Sequence, residues 1–477
     1  MKREINGKSS IKNILAVISI TLLGTFLRIL PSYKYSIWGV DFGIYYNLTS
    51  KYFLTNQIFP NFQSIWGSSG YGYFPVFYWM MDLVYKLTGM SVQFILLHIS
   101  PIFAGLTIPI IYIIAKKLTG GDEIGIIASL LYAINPMDVF ETSMVGLLIF
   151  GHLFLLLSIL FYLYTWKNKK YYILLSLSSL SLILSHHLST YMYIISIVGI
   201  IFFRRIFDND YRTFKYDFIY LIAFSSSTFF YWLTFIPSMQ GFFSDAFDGF
   251  LPWYVIIILY FSTVSLLIFY ANKFKNFILS IKGLFKFELR DRYLYLLFLF
   301  TSISIFIILS TTGINGIRIK SYGLLYAIPY ILVFSFVGIG LKYIKNHKKA
   351  RIFLFGWISL LTISLIFSTI TWNGILIPYR YLEYIFEPLS IISAIGIYYI
   401  YKQLPSQHIN DQNVVYIPAR IENSVITMFY GFENRLVYSV PLITGISHSI
   451  IVSRKNRYKN LRRVFFLDWK TETIIFP

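Results

Sequence analysis

The sequence predicts an all-α integral membrane protein of about twelve transmembrane helices, with a long outer first loop and a small α+β or β-rich C-terminal tail. Three observations lead there. Of the 477 residues, 57% are hydrophobic and only 13% charged, against roughly 25% charged in average soluble domains. Apolar runs long enough to cross a hydrocarbon core recur between Ile11 and Tyr401. Lysine and arginine collect in alternate loops between those runs. Cysteine is absent, which excludes disulfides, thiolate metal sites and a cysteine nucleophile. The net charge of +20 is accounted for by topology, so no nucleic-acid partner is expected.

In chain order the spans fall near 11–31, 92–115, 124–141, 144–165, 171–186, 188–203, 216–236, 253–271, 293–311, 322–341, 352–371 and 384–401. Lys2, Arg3, Lys8 and Lys12 precede the first. Lys116 and Lys117, Lys167 to Lys170, Arg204 to Lys215, Lys273 to Arg292 and Lys342 to Arg351 share its side. The opposite loops hold few bases: Lys34, Lys51, Lys86, Arg318, Lys320 and Arg380. The positive-inside rule then puts the N-terminus in the cytoplasm and loops 32–91, 237–252, 312–321 and 372–383 outside a multi-pass cell-membrane protein. The first span is expected to be a retained signal anchor, with Arg28 snorkelling near its outer end.

Two regions depart from this alternation. The outer loop 32–91 is rich in aromatics and carries a helix-like run from Asp41 to Gln57. After Lys402 the apolar density drops, and Pro405 with the polar run Ser406–Asn413 marks a linker. This divides the chain into a polytopic domain, 1–401, and a small basic domain, 402–477. In the tail Val414–Ile417, Ser424–Tyr430 and Val464–Phe466 read as short strands. Its bases, Arg454 to Arg463, place it on the cytoplasmic face, against anionic lipid. A thirteenth span across Leu436–Val452 would move those bases outward and is not expected. No short repeat and no inverted repeat of the transporter kind is visible.

Acidic residues are unevenly placed. Asp41, Asp82, Asp138, Glu141, Asp245, Asp248, Glu383 and Glu387 all fall in expected outer loops or at outer helix ends, where a half-buried carboxylate is costly unless solvated, paired or functional. Asp41, in Trp38-Gly-Val-Asp41-Phe-Gly-Ile-Tyr45-Tyr46-Asn47, opens an amphipathic segment. It reads as a helix N-cap, or as a general base or metal-bound carboxylate facing an outer cavity. Asp245 and Asp248 read as solvated loop residues. His186 and His187 stand at an outer helix end; adjacent histidines point roughly 100° apart on a helix, which favours cavity lining over metal binding. His152 reads as a buried packing residue. The rings of the outer loop, Tyr45 and Tyr46 among them, suit either an interfacial belt or stacking on a ligand.

Four stretches carry a family resemblance: Gly39-Val-Asp41-Phe-Gly-Ile-Tyr-Tyr46; Tyr71-Gly-Tyr-Phe-Pro75-Val-Phe-Tyr-Trp79 with Leu87-Thr-Gly89; the run from Pro101 through Lys116-Lys-Leu-Thr-Gly-Gly121 to Pro136; and Tyr379-Arg380-Tyr-Leu. They resemble the multi-spanning GT-C glycosyltransferases that use polyprenyl-phosphate-linked sugars, and most of all archaeal relatives of the oligosaccharyltransferase catalytic subunit. The resemblance implies transfer of a sugar from a polyprenyl-phosphate-linked donor to a glycan, lipid or protein acceptor on the outer face. It gives Asp41 the catalytic role, as the first-loop acid that activates the acceptor or holds a metal. Three departures narrow this. Phe42 stands where some members have a second acid, Leu147-Leu-Ile149 replaces an expected acidic pair, and the tail lacks a Trp-Trp-Asp tripeptide. They favour a simpler monosaccharide or oligosaccharide transfer over peptide N-glycosylation, with a divalent metal allowed but not required.

Arg380 reads two ways. Its guanidinium could grip the oxygens of a departing lipid phosphate with paired charged hydrogen bonds, or pair with Glu383 three residues on. Arg318 and Lys320 are further candidate phosphate ligands, or snorkelling anchors. Glu141, His186, His187, Glu383 and Tyr45 are the candidate cavity-lining residues. A transporter or lipid flippase is the rival reading; it needs charged residues within the spans, which look almost free of charge. A non-catalytic scaffold is the second rival.

Overall fold

The computed structural model describes residues 2–55, 70–208, 211–236, 239–240, 243, 251–271, 273, 275, 290–311, 323–371 and 378–403, together with six strands of the tail. The chain divides into two compact units, Met1–Tyr401 and Lys402–Pro477.

The first unit is helical. In chain order it contains α1 (Lys2–Lys34), α2 (Phe42–Thr55), α3 (Pro75–Thr88), α4 (Val92–Thr119), α5 (Asp122–Ala133), α6 (Pro136–Ser143), α7 (Leu148–Thr165) and α8 (Tyr171–Ile183). It continues with α9 (His187–Phe207), α10 (Phe214–Phe235), α11 (Trp253–Phe269), α12 (Asp291–Thr311), α13 (Gly323–Tyr343), α14 (Lys348–Thr371) and α15 (Tyr381–Gln403). Among the described residues eight helices are long and apolar enough to cross a membrane, or nine if α5 and α6 count as one bent span. The protein is therefore a multi-pass membrane protein. Each of the twelve expected segments is helical, although α8 and α11 are short.

The expected single span 124–141 needs correction. It breaks into α5 and α6 with a 57° bend. Pro136 lacks the N–H that a continuing helix requires, and the Asn135 side chain starts a new helix by accepting from the Met137 N–H at 3.2 Å. Elsewhere local chemistry sets the helix ends. Ser91 caps α4 by accepting from the Phe94 N–H, and Gly120, with φ of +79°, closes it in the left-handed conformation.

Helix packing relies on close backbone approach, as expected where lipid supplies no hydrophobic drive between helices. Gly199 of α9 faces Gly356 of α14, and a Cβ on either would collide with the backbone of the other helix. Gly151 of α7 lies against His186 and Ser189, so α7 closes tightly on the start of α9. The core runs through α2, α3, α4, α7, α9, α14 and α15. Rings of the outer loop join it: Tyr52 stacks on Tyr78 at 4.7 Å, and the Tyr52 hydroxyl donates to the Gly72 carbonyl at 2.7 Å. Tyr45, Tyr52, Phe74, Phe77 and Tyr78 are buried, while Tyr46 and Trp79 remain exposed.

At the C-terminal end of α9, Arg204 lies between the rings of Trp166 and Tyr211, 4.2 Å from each centroid, and bonds Asp217 at 3.0 Å. Asp217 also accepts from Tyr162, Tyr172, Tyr211 and Thr213. This cluster ties α7, α8, α9 and α10 together, about 26 Å along the α9 axis from His187.

The second unit contains three antiparallel strand pairs: β1 (Val414–Ala419) with β4 (His448–Ser453), β2 (Val425–Phe432) with β3 (Arg435–Ile443), and β5 (Phe466–Asp468) with β6 (Thr473–Ile475). Strands β3 and β4 occupy most of 436–452, so no helix spans that stretch.

Candidate functional site

Asp41 stands immediately before α2. Gly39, with φ of +111°, turns the chain after α1, and the Asp41 carbonyl accepts from the N–H groups of Ile44 and Tyr45 at 3.0 and 3.1 Å. That backbone role starts the helix and leaves the half-buried carboxylate available. One turn into α2, the buried Tyr45 stacks on Tyr71, with 5.6 Å between centroids and 28° between planes. Burial pushes both phenol hydroxyls above their ordinary value near 10; the charge of Asp41 adds to this and the charge of Arg380 opposes it. The two aromatic hydroxyls therefore lie in the fields of both Asp41 and Arg380.

Arg380 ends the short turn Pro378–Arg380 that leads into α15 and is half-buried. It bonds the Tyr379 side chain and interacts electrostatically with Tyr71, Glu141, His186 and His187. Glu141, half-buried near the end of α6, feels Arg380, His152 and Asp138. The structure thus brings Asp41, Tyr45, Glu141, His186, His187 and Arg380 into one electrostatic neighbourhood. Arg318 and Lys320, like Asp245 and Asp248, lie outside the described residues.

The histidine pair sits at a helix break. His186 is extended, with φ of −163°, and caps α9: its Nδ1 accepts from the Ser189 N–H at 3.3 Å and lies 2.9 Å from Ser189 Oγ. The rings of His186 and His187 are 4.9 Å apart, and His187 tilts against Phe74. Among the described residues no group of three or more His, Asp or Glu side chains is arranged to hold a metal ion.

Three expectations are corrected. Glu383 bonds His152 at 3.2 Å, so its ion-pair partner among the described residues is this histidine and not Arg380. His152 is buried but is no mere packing residue: its other nitrogen lies 2.9 Å from Glu387, and its ring stacks on Tyr384 at 4.5 Å. Arg28 does not snorkel. It is buried and paired with Asp138, and it also donates to Thr142 and to the carbonyls of Gly24 and Ala133. The spans are consequently not free of charge; their charges are buried in mutually compensating sets, which lowers the cost of taking them out of water. The signal for the His152 cluster was present in the sequence, since Glu383 and Glu387 are two acids one helical turn apart in an otherwise apolar helix.

Comparison with known proteins adds two findings. The sequence model of the dolichyl-phosphate-mannose-protein mannosyltransferase family matches residues 73–232. Among solved structures, the oligosaccharyltransferase of Archaeoglobus fulgidus, tethered to an acceptor peptide containing the NVT sequon, aligns over 82% of this chain at 13% identity with a TM-score of 0.50. The chain spans half the length of that structure. A search of curated proteins finds no match. The match in sequence covers about a third of this chain, and the match in structure is a likeness of fold.

Proposed function

We propose that the protein transfers a sugar from a polyprenyl-phosphate-linked donor to a hydroxyl or amide acceptor on the outer face of the membrane, with the N-terminus and the 402–477 domain in the cytoplasm. The supporting observation is that Asp41 and Arg380, more than three hundred residues apart in sequence, both act on the hydroxyls of Tyr45 and Tyr71. In this reading the Asp41 carboxylate takes the proton from the acceptor. The acceptor's oxygen or nitrogen attacks the anomeric carbon as the bond from that carbon to the phosphate oxygen breaks. The departing lipid phosphate carries the negative charge, which Arg380 stabilises. The proton on Asp41 then passes to water. Glu141 and the rings of Tyr45, Tyr71 and His187 all stand within the field of Arg380.

The direct test is Asp41→Asn assayed with radiolabelled polyprenyl-phosphate sugar in reconstituted vesicles. Asparagine keeps the size and still starts the helix, so transfer is expected to be lost with insertion and thermal stability intact. Activity near that of the parent would reduce Asp41 to a helix start.

A further inference from the structure

Arg380 ends the turn that leads into α15, and the first two turns of α15 carry Glu383, Tyr384 and Glu387, with Glu387 four residues after Glu383 and three after Tyr384, on one helical face. Two of the four are held by a single side chain from another helix. His152 of α7 is fully buried, with Nε2 3.2 Å from Glu383 Oε2 and Nδ1 2.9 Å from Glu387 Oε1. A third, Tyr384, lies flat on the same imidazole and also bonds Ser189 Oγ at 2.8 Å, which in turn meets His186. Glu383 and Glu387 are themselves buried, and among the described residues Glu387 Oε2 has no hydrogen-bond partner.

A neutral imidazole has one N–H and cannot donate to two carboxylates, so the bridge requires either an imidazolium or a proton on one acid. In both cases the group forms as a unit and loses its balance when one member is removed. Its geometry is directional. Bonds from opposite edges of one ring to two positions a turn apart fix both the rotation of α15 and its height against α7. A hydrophobic contact, which tolerates sliding, would not. Arg380 stands three residues before the first of these bonds, in the turn that leads into α15.

We propose that His152 is a positioning residue for Arg380, fixing the start of α15 through its simultaneous bonds to Glu383 and Glu387. The consequence for a lipid phosphate rests on the role proposed above for Arg380; the clamp itself does not.

The experiment uses the full chain, whose lack of cysteine allows clean labelling. Spin labels at Leu382→Cys, on an exposed position of α15, and Asn168→Cys, between α7 and α8, report the placement of the helix start by pulsed electron resonance. His152→Gln should broaden or shift that distance distribution by about 2 Å or more, and should weaken binding of farnesyl monophosphate about tenfold. The triple variant His152→Gln, Glu383→Gln, Glu387→Gln replaces the charges with three amides able to bond one another, and should recover a narrow distribution and part of the affinity. Glu387→Gln alone serves as the probe if His152→Gln does not insert. An unchanged distribution in His152→Gln, even with lower thermal stability, overturns the proposal and leaves a purely structural cluster. A displaced helix start together with unchanged farnesyl monophosphate binding in both His152→Gln and Arg380→Ala upholds the clamp and rejects the phosphate role of Arg380.

Discussion

Tyr71 stacks on Tyr45 with 5.6 Å between ring centroids, and this contact joins the helix after Asp41 to the short turn before Pro75. Both hydroxyls resist ionisation, chiefly through burial and secondarily through neighbouring negative charge, Asp41 included. The sign of the resulting pH dependence follows. Their folded-state values lie above the ordinary value near 10, so between the two values the unfolded chain has lost its phenol protons while the folded chain keeps them. Stability is unaffected below about pH 10 and falls as pH rises beyond it. Tyr45→Phe with Tyr71→Phe should move the alkaline limb of a thermal stability profile upward in pH. An unmoved limb would show that these two phenols do not control it.

The helical segments were legible because a bilayer demands long apolar runs, and each of the twelve has a helix in the structure. The break at Asn135-Pro136 was legible in principle, since a proline with a capping asparagine before it carries the signal, yet the apolar run from 124 to 141 masked it. Partners far apart in sequence were not legible. Arg28 meets Asp138 across 110 positions and His152 meets Glu387 across 235. Periodicity describes one helix at a time and says nothing about which helix lies opposite. For the same reason the sequence suggested Glu383 as a neighbour for Arg380, the nearest base along the chain, when its bonded partner is a histidine on α7. The candidate site residues Asp41, Tyr45 and Arg380 come from the family resemblance and from the scarcity of charge at one end of the helices.

The Arg28–Asp138 pair gives a stability prediction. Both side chains are buried, and the guanidinium also satisfies the Thr142 hydroxyl and two carbonyls. Arg28→Ala leaves an uncompensated carboxylate inside the protein and should cost about 3–5 kcal/mol. Arg28→Met with Asp138→Leu removes both charges at similar volume and should lie much closer to the parent. Thermal unfolding in detergent of both variants provides the check, and equal losses would mean that packing, not charge compensation, dominates at this site.

The proposed sidedness is tested by cysteine labelling, which this chain permits without removing native thiols. Val40 is almost fully exposed next to Asp41, and Asn168 lies exposed between Lys167 and Lys169. Val40→Cys should react with an impermeant maleimide in intact cells, and Asn168→Cys should react only after the membrane is opened. The reverse pattern would invert the topology and place the Asp41 site in the cytoplasm.

The remaining prediction concerns Arg380, where charge and shape can be separated. In the proposed reaction the sugar passes to the acceptor and the lipid phosphate or diphosphate departs, so the proposal needs its negative charge held near the start of α15. Lysine keeps the positive charge but presents a point ammonium in place of a planar fork, and so loses the paired contact while retaining attraction. Arg380→Lys should therefore keep part of the transfer activity and of the affinity for a lipid phosphate, and Arg380→Ala should keep very little of either. Stability gives the control. Because Glu383 bonds His152, removing the guanidinium does not strand that carboxylate, and either variant should unfold within about 1 kcal/mol of the parent. Isothermal binding of farnesyl monophosphate and thermal unfolding, measured on the same preparations, distinguish the outcomes. Weaker binding at unchanged stability is expected if Arg380 grips the phosphate. Unchanged binding with a marked loss of stability would instead make Arg380 a structural anchor for the end of α15, and the leaving group would then need another base.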